Sequence, residues 1–243
     1  MNLSTVSSLL AMLLAAAPAC ADPDDFLLTT YAQSGLQQIN LALGSTGLSG
    51  QPRDSHATLG YGYGVSELWF SELYVSYDHT EGSPTTFDSA AWQNIFRLTE
   101  GQWPLDIGLY TEAEYENDRT TGDKLTFGPL LQSDFGLTTL NLNFLFHRNY
   151  AADSSYPMSM GYQWQVKRRI SQAIELGFQG FGDVGQWNRW APHDQQVHRL
   201  GPVILGKFAL GNKQVLNYNA AVLFDEFDGA HATTLRAQLT YGF

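Results

Sequence analysis

The sequence predicts an all-β protein, a twelve-stranded antiparallel transmembrane up-and-down β-barrel of the outer-membrane type. Three observations predict it: the pattern of the last strand, the lack of helix-period segments after residue 35, and connections that alternate in length. In the final segment, TTLRAQLTYGF, polar and apolar residues alternate to the end of the chain. This alternation indicates a strand, and an aromatic outer face that reaches the last residue is typical of a strand that closes a barrel against lipid. The apolar face consists of Leu235, Ala237, Leu239, Tyr241 and Phe243.

The composition restricts the class of protein. Of the 243 residues, 44% are hydrophobic and 13% are aromatic. No apolar run reaches the roughly 20 residues that a membrane-spanning helix needs. The formal net charge of −11 argues against nucleic acid as a partner, because nucleic-acid-binding proteins carry a basic surface.

The first residues have the pattern of a secretory signal. The apolar run from Leu9 to Ala19 is too short to span a bilayer, and the small residues after it predict cleavage before Asp22. The single cysteine, Cys20, lies within this segment. The mature chain is therefore expected to have no disulfide and no thiolate chemistry.

The predicted organisation has three parts: a signal peptide at 1–21, an N-terminal segment at 22–34 and the barrel at 35–243. The N-terminal segment, DPDDFLLTTYAQS, lacks clean alternation. It is expected either to lie in the periplasm or to fold into the lumen as a partial plug, and the sequence leaves both open.

Alternating segments separated by turn residues predict the twelve strands. Most are close to the roughly 9–11 residues that a tilted strand needs to cross the hydrocarbon layer. The predicted strands are 35–44, 55–64, 68–79, 86–98, 104–115, 125–134, 138–149, 157–167, 173–182, 196–208, 214–224 and 232–243.

Every second connection is predicted to be tight and the others to be longer and polar. Short periplasmic turns and longer external loops are the known asymmetry of such barrels, and an even strand number places both termini in the periplasm. The tight connections are GVSE (64–67), TEGQW (99–103), FGL (135–137), RRISQ (168–172) and LGNK (210–213). The long ones are 45–54, 81–85, 116–124, 150–156 and 183–195.

The alternation also assigns a face to each side chain. Charged residues fall on the face opposite the apolar one, which is the reverse of a soluble lipocalin-like barrel with an apolar inside. The predicted lumen-lining residues are Glu72, Arg97, Asp106, Glu112, Glu114, His147, Glu175, Arg199, Lys207 and Arg236. The residues predicted to form aromatic girdles at the membrane interfaces are Trp69, Trp92, Trp103, Trp164, Tyr241 and Phe243.

Two interpretations of the lumen charges are compatible. One is a ladder of ion pairs that holds the inside together, because buried charges need partners. The other is a selectivity path lined by fixed charges. Arg97, Arg236, Glu112 and Glu175 are expected to be its central residues.

Two prolines lie inside predicted strands, Pro129 in TFGPLL and Pro202 in RLGPVI. Proline removes a ladder donor, so each is predicted to mark a bulge or a local kink.

Catalytic and metal sites were weighed and not predicted. A lipid hydrolase needs a serine and a histidine within hydrogen-bond reach, and His147 or His198 with Ser154 or Ser155 could supply them, but no motif selects these residues. His193 and His198, with Asp194 between them, have metal-ligand chemistry, yet loop histidines are usually solvated. We therefore predict no catalytic residue, no metal and no cofactor.

Several stretches resemble a group of bacterial outer-membrane barrels associated with the meta-cleavage pathway of phenol degradation. These are GYGVSELWFSELYVSYD (62–78), LTFGPLLQSDFGLTTLNLNFLFHRNY (125–150), IELGFQGFGDVGQW (174–187) and HRLGPVILGKFALG (198–211). The shared features are turn glycines and strand alternation. The resemblance implies uptake of aromatic or hydrophobic compounds and offers no catalytic residue.

The sequence as a whole predicts an outer-membrane channel or transporter for a small molecule that is not an enzyme. The alternatives are an outer-membrane lipid hydrolase of the phospholipase or lipid A deacylase type, and a structural or surface-interaction barrel with a filled lumen. The expected partners are outer-membrane lipid and lipopolysaccharide, together with the barrel-assembly machinery, which would engage the C-terminal strand.

Overall fold

Twelve long antiparallel strands and one two-residue strand make up the sheet of this computed structural model. The structure describes residues 26–48, 52–120, 122–152, 157–211, 213–227 and 230–243, so the predicted signal peptide lies outside the described residues. The strands are β1 (Gln37–Leu48), β2 (Asp54–Ser66), β3 (Trp69–Thr80), β4 (Thr86–Arg97), β5 (Asp106–Glu116), β6 (Asp123–Phe135), β7 (Thr138–Tyr150), β8 (Ser159–Arg169), β9 (Glu175–Gln186), β10 (Arg189–Trp190), β11 (Val197–Gly211), β12 (Gln214–Phe227) and β13 (Ala230–Gly242).

The sheet closes on itself. Each long strand pairs with its neighbours in the chain, and β13 pairs with β1 along their whole length. At the seam, the Gln37 amide donates to the Phe243 carbonyl (3.1 Å) and the Phe243 amide donates to the Gln37 carbonyl (2.9 Å). The short β10 only extends a hairpin from β9. The predicted twelve-stranded antiparallel barrel is therefore confirmed, and closure leaves no unpaired strand edge.

Helix is scarce in the described part of the chain. It contains one 3-10 turn at His193–Gln195. Among the described residues, no helix is long and apolar enough to cross a membrane.

Each predicted strand corresponds to one long strand of the structure. The largest differences are in β1 and β9, which continue to residues 48 and 186, whereas their predicted ends are 44 and 182. The alternation of apolar side chains stops before the hydrogen-bonded ladder does. The sequence pattern therefore marks the apolar section of a strand better than its end.

The barrel has two distinct ends. At the turn end lie the start of β1, the end of β13 and the connections 67–68, 98–105, 136–137, 170–174 and 212–213. The loop end carries 49–53, 81–85, 117–122, 151–158, 187–196 and 228–229. The predicted alternation of length holds only in part. The turn-end connection 98–105 is long, 170–174 is as long as the loop-end connections 49–53 and 81–85, and two residues separate β12 from β13 at the loop end.

The sequence predicts a bulge or a local kink at Pro129 and at Pro202, and a bulge is present at neither. The register of β6 with β7 is the same on both sides of Pro129, and that of β11 with β12 is the same on both sides of Pro202. The glycine before each proline explains this. A Cβ on Gly128 would lie 1.8 Å from the Phe144 carbonyl oxygen, so the bare backbone lets the neighbouring strand approach where the proline cannot donate.

The outward face of the barrel is apolar along the strands. Large apolar side chains on this face are exposed, with Leu73 63% and Phe178 58% exposed. Other exposed members of the same face are Leu59, Tyr61, Leu109, Leu125, Leu200, Ile204, Phe224 and Leu235. A water-soluble barrel would bury such a set, whereas a barrel surrounded by lipid presents it outward.

Candidate functional site: the barrel lumen

The inward-facing side chains surround a cavity of about 2460 Å³. Its lining reaches from Arg169 and Lys213 at the turn end to Asn149 and Ser159 in the loop-end half. Nine of the ten charged residues expected in the lumen line it: Glu72, Arg97, Asp106, Glu112, Glu114, His147, Glu175, Arg199 and Lys207.

Three carboxylates on β3 and β5 form a buried acidic wall, defined here as Glu72, Glu112 and Glu114, each less than one-tenth exposed. Neutral groups hold the first two. Glu72 accepts a hydrogen bond from the Gln93 amide (2.6 Å). Glu112 accepts from the hydroxyl of Tyr110 (2.6 Å) and from the hydroxyl of a second tyrosine, on β3 (2.5 Å). Hydrogen bonds to carboxylates offset part of the cost of burying them.

Three ion pairs join neighbouring strands inside the barrel. Lys124 lies 2.5 Å from Glu114, Lys167 lies 2.7 Å from Glu175, and Arg199 lies 3.0 Å from Asp225. Such pairs are what a charge ladder inside the barrel requires. The lumen therefore contains paired charges, as the ladder interpretation requires, and beside them carboxylates that neutral donors hold.

Charged residues at the turn end surround the opening of the cavity. Arg97 is the last residue of β4 and lies 2.7 Å from Glu100, while Asp106 accepts from the Gly101 amide (2.6 Å). Glu175 is the first residue of β9. Arg97 and Glu175, expected among the central residues, thus lie at a strand end, whereas Glu112 lies well inside its strand.

Histidines occupy the loop-end half of the lumen. His147 lies 3.1 Å from the Thr126 hydroxyl. His56 is buried, with Nδ1 2.7 Å from Asp78, and Asp88 brings a second carboxylate near them. One ligand atom from each of these three lies within 4.8 Å of the other two, which is compatible with a divalent cation. The sequence interpretation missed this group because its members lie on three different strands.

The N-terminal segment lies inside the barrel. The Leu28 amide donates to the Gln163 side chain (3.1 Å), and the Asn143 side chain donates to the Leu28 carbonyl (2.9 Å). Ala32 is 2% exposed, in a cluster with inward-facing side chains of five strands. Residues 26–34 therefore rise from the turn end into the middle of the lumen. The wall members of this cluster are Phe70, Ile95, Tyr110, Leu130 and Leu145.

Arg236 is the tenth expected lumen residue, and it is not among the residues that line the cavity. Its guanidinium carbon is 4.6 Å from the centre of the Phe26 ring and 4.4 Å from that of Phe181. The residue is 3% exposed. A cation between two aromatic faces is stabilised by both rings. A second inward apolar cluster surrounds Phe181; its other members are Val203, Leu205, Ala221 and Leu223.

The aromatic residues expected in girdles fall into two groups. Trp69, Trp103, Tyr241 and Phe243 lie at the turn end. Trp92 and Trp164 lie near the middle of β4 and β8, so they do not belong to a ring at the strand ends. A loop-end aromatic group that the sequence interpretation missed consists of Phe127, Phe146 and Trp187, whose rings are in contact.

The histidines weighed for hydrolysis or metal binding are engaged in other contacts. His198 faces outward, with Nδ1 2.7 Å from the Tyr162 hydroxyl and Nε2 3.0 Å from the Gln196 side chain. The His193 ring packs against it at 5.4 Å. His147 lies in the lumen, away from the outer surface. Ser154 and Ser155 lie outside the described residues.

Comparisons with known proteins identify the fold. No protein-family model matches the chain, and no curated protein matches it significantly in sequence. Among solved structures, it is similar to an outer membrane channel from Pseudomonas putida F1 (TM-score 0.61, 10% identity), covering 92% of this chain and 100% of that one. It is also similar to the NanC porin (0.59, 10%, covering 83% and 98%) and the KdgM porin (0.52, 5%, covering 83% and 97%). The chain has the fold of outer-membrane barrel channels.

Proposed function

We propose that this protein is an outer-membrane channel through which small hydrophilic solutes diffuse. The observation that carries the proposal is the cavity of about 2460 Å³, whose lining contains charged and amide side chains in both halves of the barrel. The exposed apolar outward face suits a barrel embedded in lipid. The fold that the chain shares with outer-membrane channels supports the same role.

The membrane setting implies the partners. Outer-membrane lipid and lipopolysaccharide contact the outward face, and the turn end faces the periplasm. The barrel-assembly machinery engages β13, whose alternation continues to Tyr241 and Phe243. Export depends on the apolar segment that begins the chain.

The lumen favours a small solute that carries charge. Lys207 is exposed in the turn-end half, and the pair of Lys167 with Glu175 lies at the same end. Fixed charges of both signs along a narrow path select by charge as well as by size. The resemblance to barrels of the phenol-degradation group favours an aromatic cargo, and an aromatic acid satisfies both considerations.

The lipid-hydrolase alternative gains little support from the site. Both ring nitrogens of His198 contact groups other than a serine, and His147 lies inside the barrel. A hydrolase would lose its activity in His198→Ala, whereas the channel assignment predicts equal, background release of fatty acid from phospholipid by the wild-type protein and this variant.

Solute uptake by vesicles tests the channel assignment. Refolded protein in liposomes is expected to speed swelling in isosmotic solutions of monosaccharides, amino acids and sodium benzoate, with rates that fall steeply as solute size increases. Arg168→Glu serves as a control variant that should swell the vesicles as fast as the wild-type protein, because Arg168 is exposed and does not line the cavity. Swelling no faster than in protein-free vesicles would contradict the channel and favour a barrel whose lumen is filled.

A further inference from the structure

The lumen holds residues 26–33 through groups suited to binding an extended peptide. We propose that the lumen wall formed by Asn143, Gln163 and Arg236 is a peptide-binding site, that its resident ligand is the chain's own segment 26–33, and that release of this tethered segment opens the path. The inference rests on the proposed channel function and adds a gate to it.

Two buried amide side chains bind the main chain of the segment. Gln163 Oε1 accepts from the Leu28 amide, and Asn143 Nδ2 donates to the Leu28 carbonyl. The same Asn143 amide donates to Gln163 Oε1 (3.1 Å), which fixes both side chains relative to each other. Together they satisfy one residue's backbone as a neighbouring β-strand would. This contact depends on an extended backbone and places little demand on the side chain of Leu28.

An aromatic latch holds the segment two residues earlier. The Arg236 guanidinium lies over the Phe26 ring and over the Phe181 ring. Phe181 is 1% exposed and belongs to the wall, whereas Phe26 belongs to the segment. The latch therefore has one fixed ring and one ring that leaves with the segment.

The remaining contacts are apolar and close-fitting. Leu28 and Ala32 pack against the inward cluster around Leu130. Thr30 is buried beside β5, where a Cβ on Gly108 would lie 3.0 Å from its methyl group. These contacts make the occupied state the favoured one.

The barrel does not need the segment to stay closed. All twelve long strands pair with one another, and residues 26–33 contribute no strand to the sheet. The tether is fixed at the turn end, where the Gly35 amide donates to the Gly64 carbonyl (2.8 Å). Gly35 has a φ of 74°, a backbone conformation that favours glycine, so the chain turns there from the segment into the sheet. The segment can leave while its anchor and the sheet remain.

A reversible disulfide tests release. Thr30→Cys with Gly108→Cys places two thiols at the contact between segment and wall, in a full chain that also carries Cys20→Ser. We expect the reduced protein to switch between a low and a high conductance in planar bilayers. Oxidation should hold it in the low state and reduce the open probability at least tenfold, and reduction should restore switching. The single variants Thr30→Cys and Gly108→Cys are the controls.

Two outcomes of this experiment would overturn the gate. One is a cross-link that forms, as seen by its mobility on a gel, but leaves conductance unchanged, because the segment would then be a static part of the barrel. The other is a cross-link that does not form under oxidation, because Thr30 would then not lie against β5.

A second measurement does not depend on conductance. Thr30→Cys alone should react slowly with a water-soluble maleimide, and adding Phe26→Ala should raise the labelling rate at least fivefold by removing the latch. A synthetic peptide of residues 26–33 should compete for the wall site and raise that labelling rate further, whereas a scrambled peptide should not. Equal rates with and without Phe26→Ala would contradict the gate. A barrel that shows this labelling pattern but never conducts would refute the channel function and leave the peptide site standing.

Discussion

The Arg236 guanidinium lies 4.6 Å from the Phe26 ring, so a residue of the last strand binds the start of the described chain inside the barrel. The contact joins the last strand to the N-terminal segment, and Phe181 of the wall makes the second ring contact. Because Arg236 is buried, its charge strengthens both ring contacts more than it would in water. A substitution of Arg236 should therefore change both the stability of the barrel and the proposed release of segment 26–33.

Replacing Arg236 separates its shape from its charge. Arg236→Lys keeps the cation and loses the planar group that stacks between the rings, so we expect the free energy of unfolding to fall by about 1–2 kcal/mol. Arg236→Ala also leaves a cavity, so the loss should be larger, about 3 kcal/mol. Urea unfolding in lipid vesicles, followed by tryptophan fluorescence, measures both. An Arg236→Lys variant as stable as the wild-type protein would show that the planar stacking contributes nothing.

The glycines before the two prolines are predicted to be intolerant of a side chain. A Cβ on Gly128 would lie 1.8 Å from the Phe144 carbonyl oxygen, and one on Gly201 would lie 1.9 Å from the Val222 carbonyl oxygen. Each strand would have to move, so Gly128→Ala and Gly201→Ala should each lower the free energy of unfolding by about 1–3 kcal/mol.

Gly47→Ala is the matched control for these two variants. Its nearest neighbour would be an Arg53 side-chain atom at 3.5 Å, an ordinary contact. The unfolding midpoint in urea should shift much less in the control. A similar loss of stability in all three variants would mean that collision with the neighbouring strand does not set the effect.

The free energy of unfolding should fall more when one partner of the Lys124–Glu114 pair is replaced than when both are. Glu114 is almost fully buried, so Lys124→Met leaves an unpaired carboxylate and should lower the free energy of unfolding by about 2–4 kcal/mol. The double variant Glu114→Gln with Lys124→Met removes that charge and should recover at least half of the loss. A double variant that is less stable than the single one would contradict this, and the double-mutant cycle gives the coupling directly.

Lys207 is predicted to influence ion selectivity. It lines the turn-end half of the cavity and is exposed there, so Lys207→Glu should move the reversal potential in a KCl gradient toward cation selectivity without a change in stability. Arg168→Glu makes the same change in charge outside the cavity and should leave the reversal potential where it was. If both variants shift it equally, the effect comes from the net charge of the protein and not from the path.

The strand number and the faces could be predicted from the sequence because alternation is a local property. The Glu112 and Glu114 side chains point inward and Leu109 points outward, as period two requires. Leu130 and Leu145 point inward too. Each is next to another apolar residue in its strand, and because successive side chains of a strand point to opposite faces, one of two neighbouring apolar residues must lie inside.

The contacts across the lumen could not be predicted in the same way. Leu28 meets Asn143 and Gln163, which lie 115 and 135 residues away, because closure of the barrel decides which walls face the segment. The bulge expected at Pro129 failed for a related reason: the lost hydrogen bond is accommodated by a bare glycine against the next strand. Neither the contacts of Leu28 nor the accommodation of Pro129 can be predicted from the local sequence pattern.

Single-channel recording in planar lipid bilayers tests the central claim most directly. Refolded wild-type protein is expected to give discrete conductance steps in 1 M KCl, with a reversal potential in a KCl gradient that Lys207→Glu displaces and Arg168→Glu does not. Correctly folded protein that inserts and gives no steps at any voltage would contradict the account.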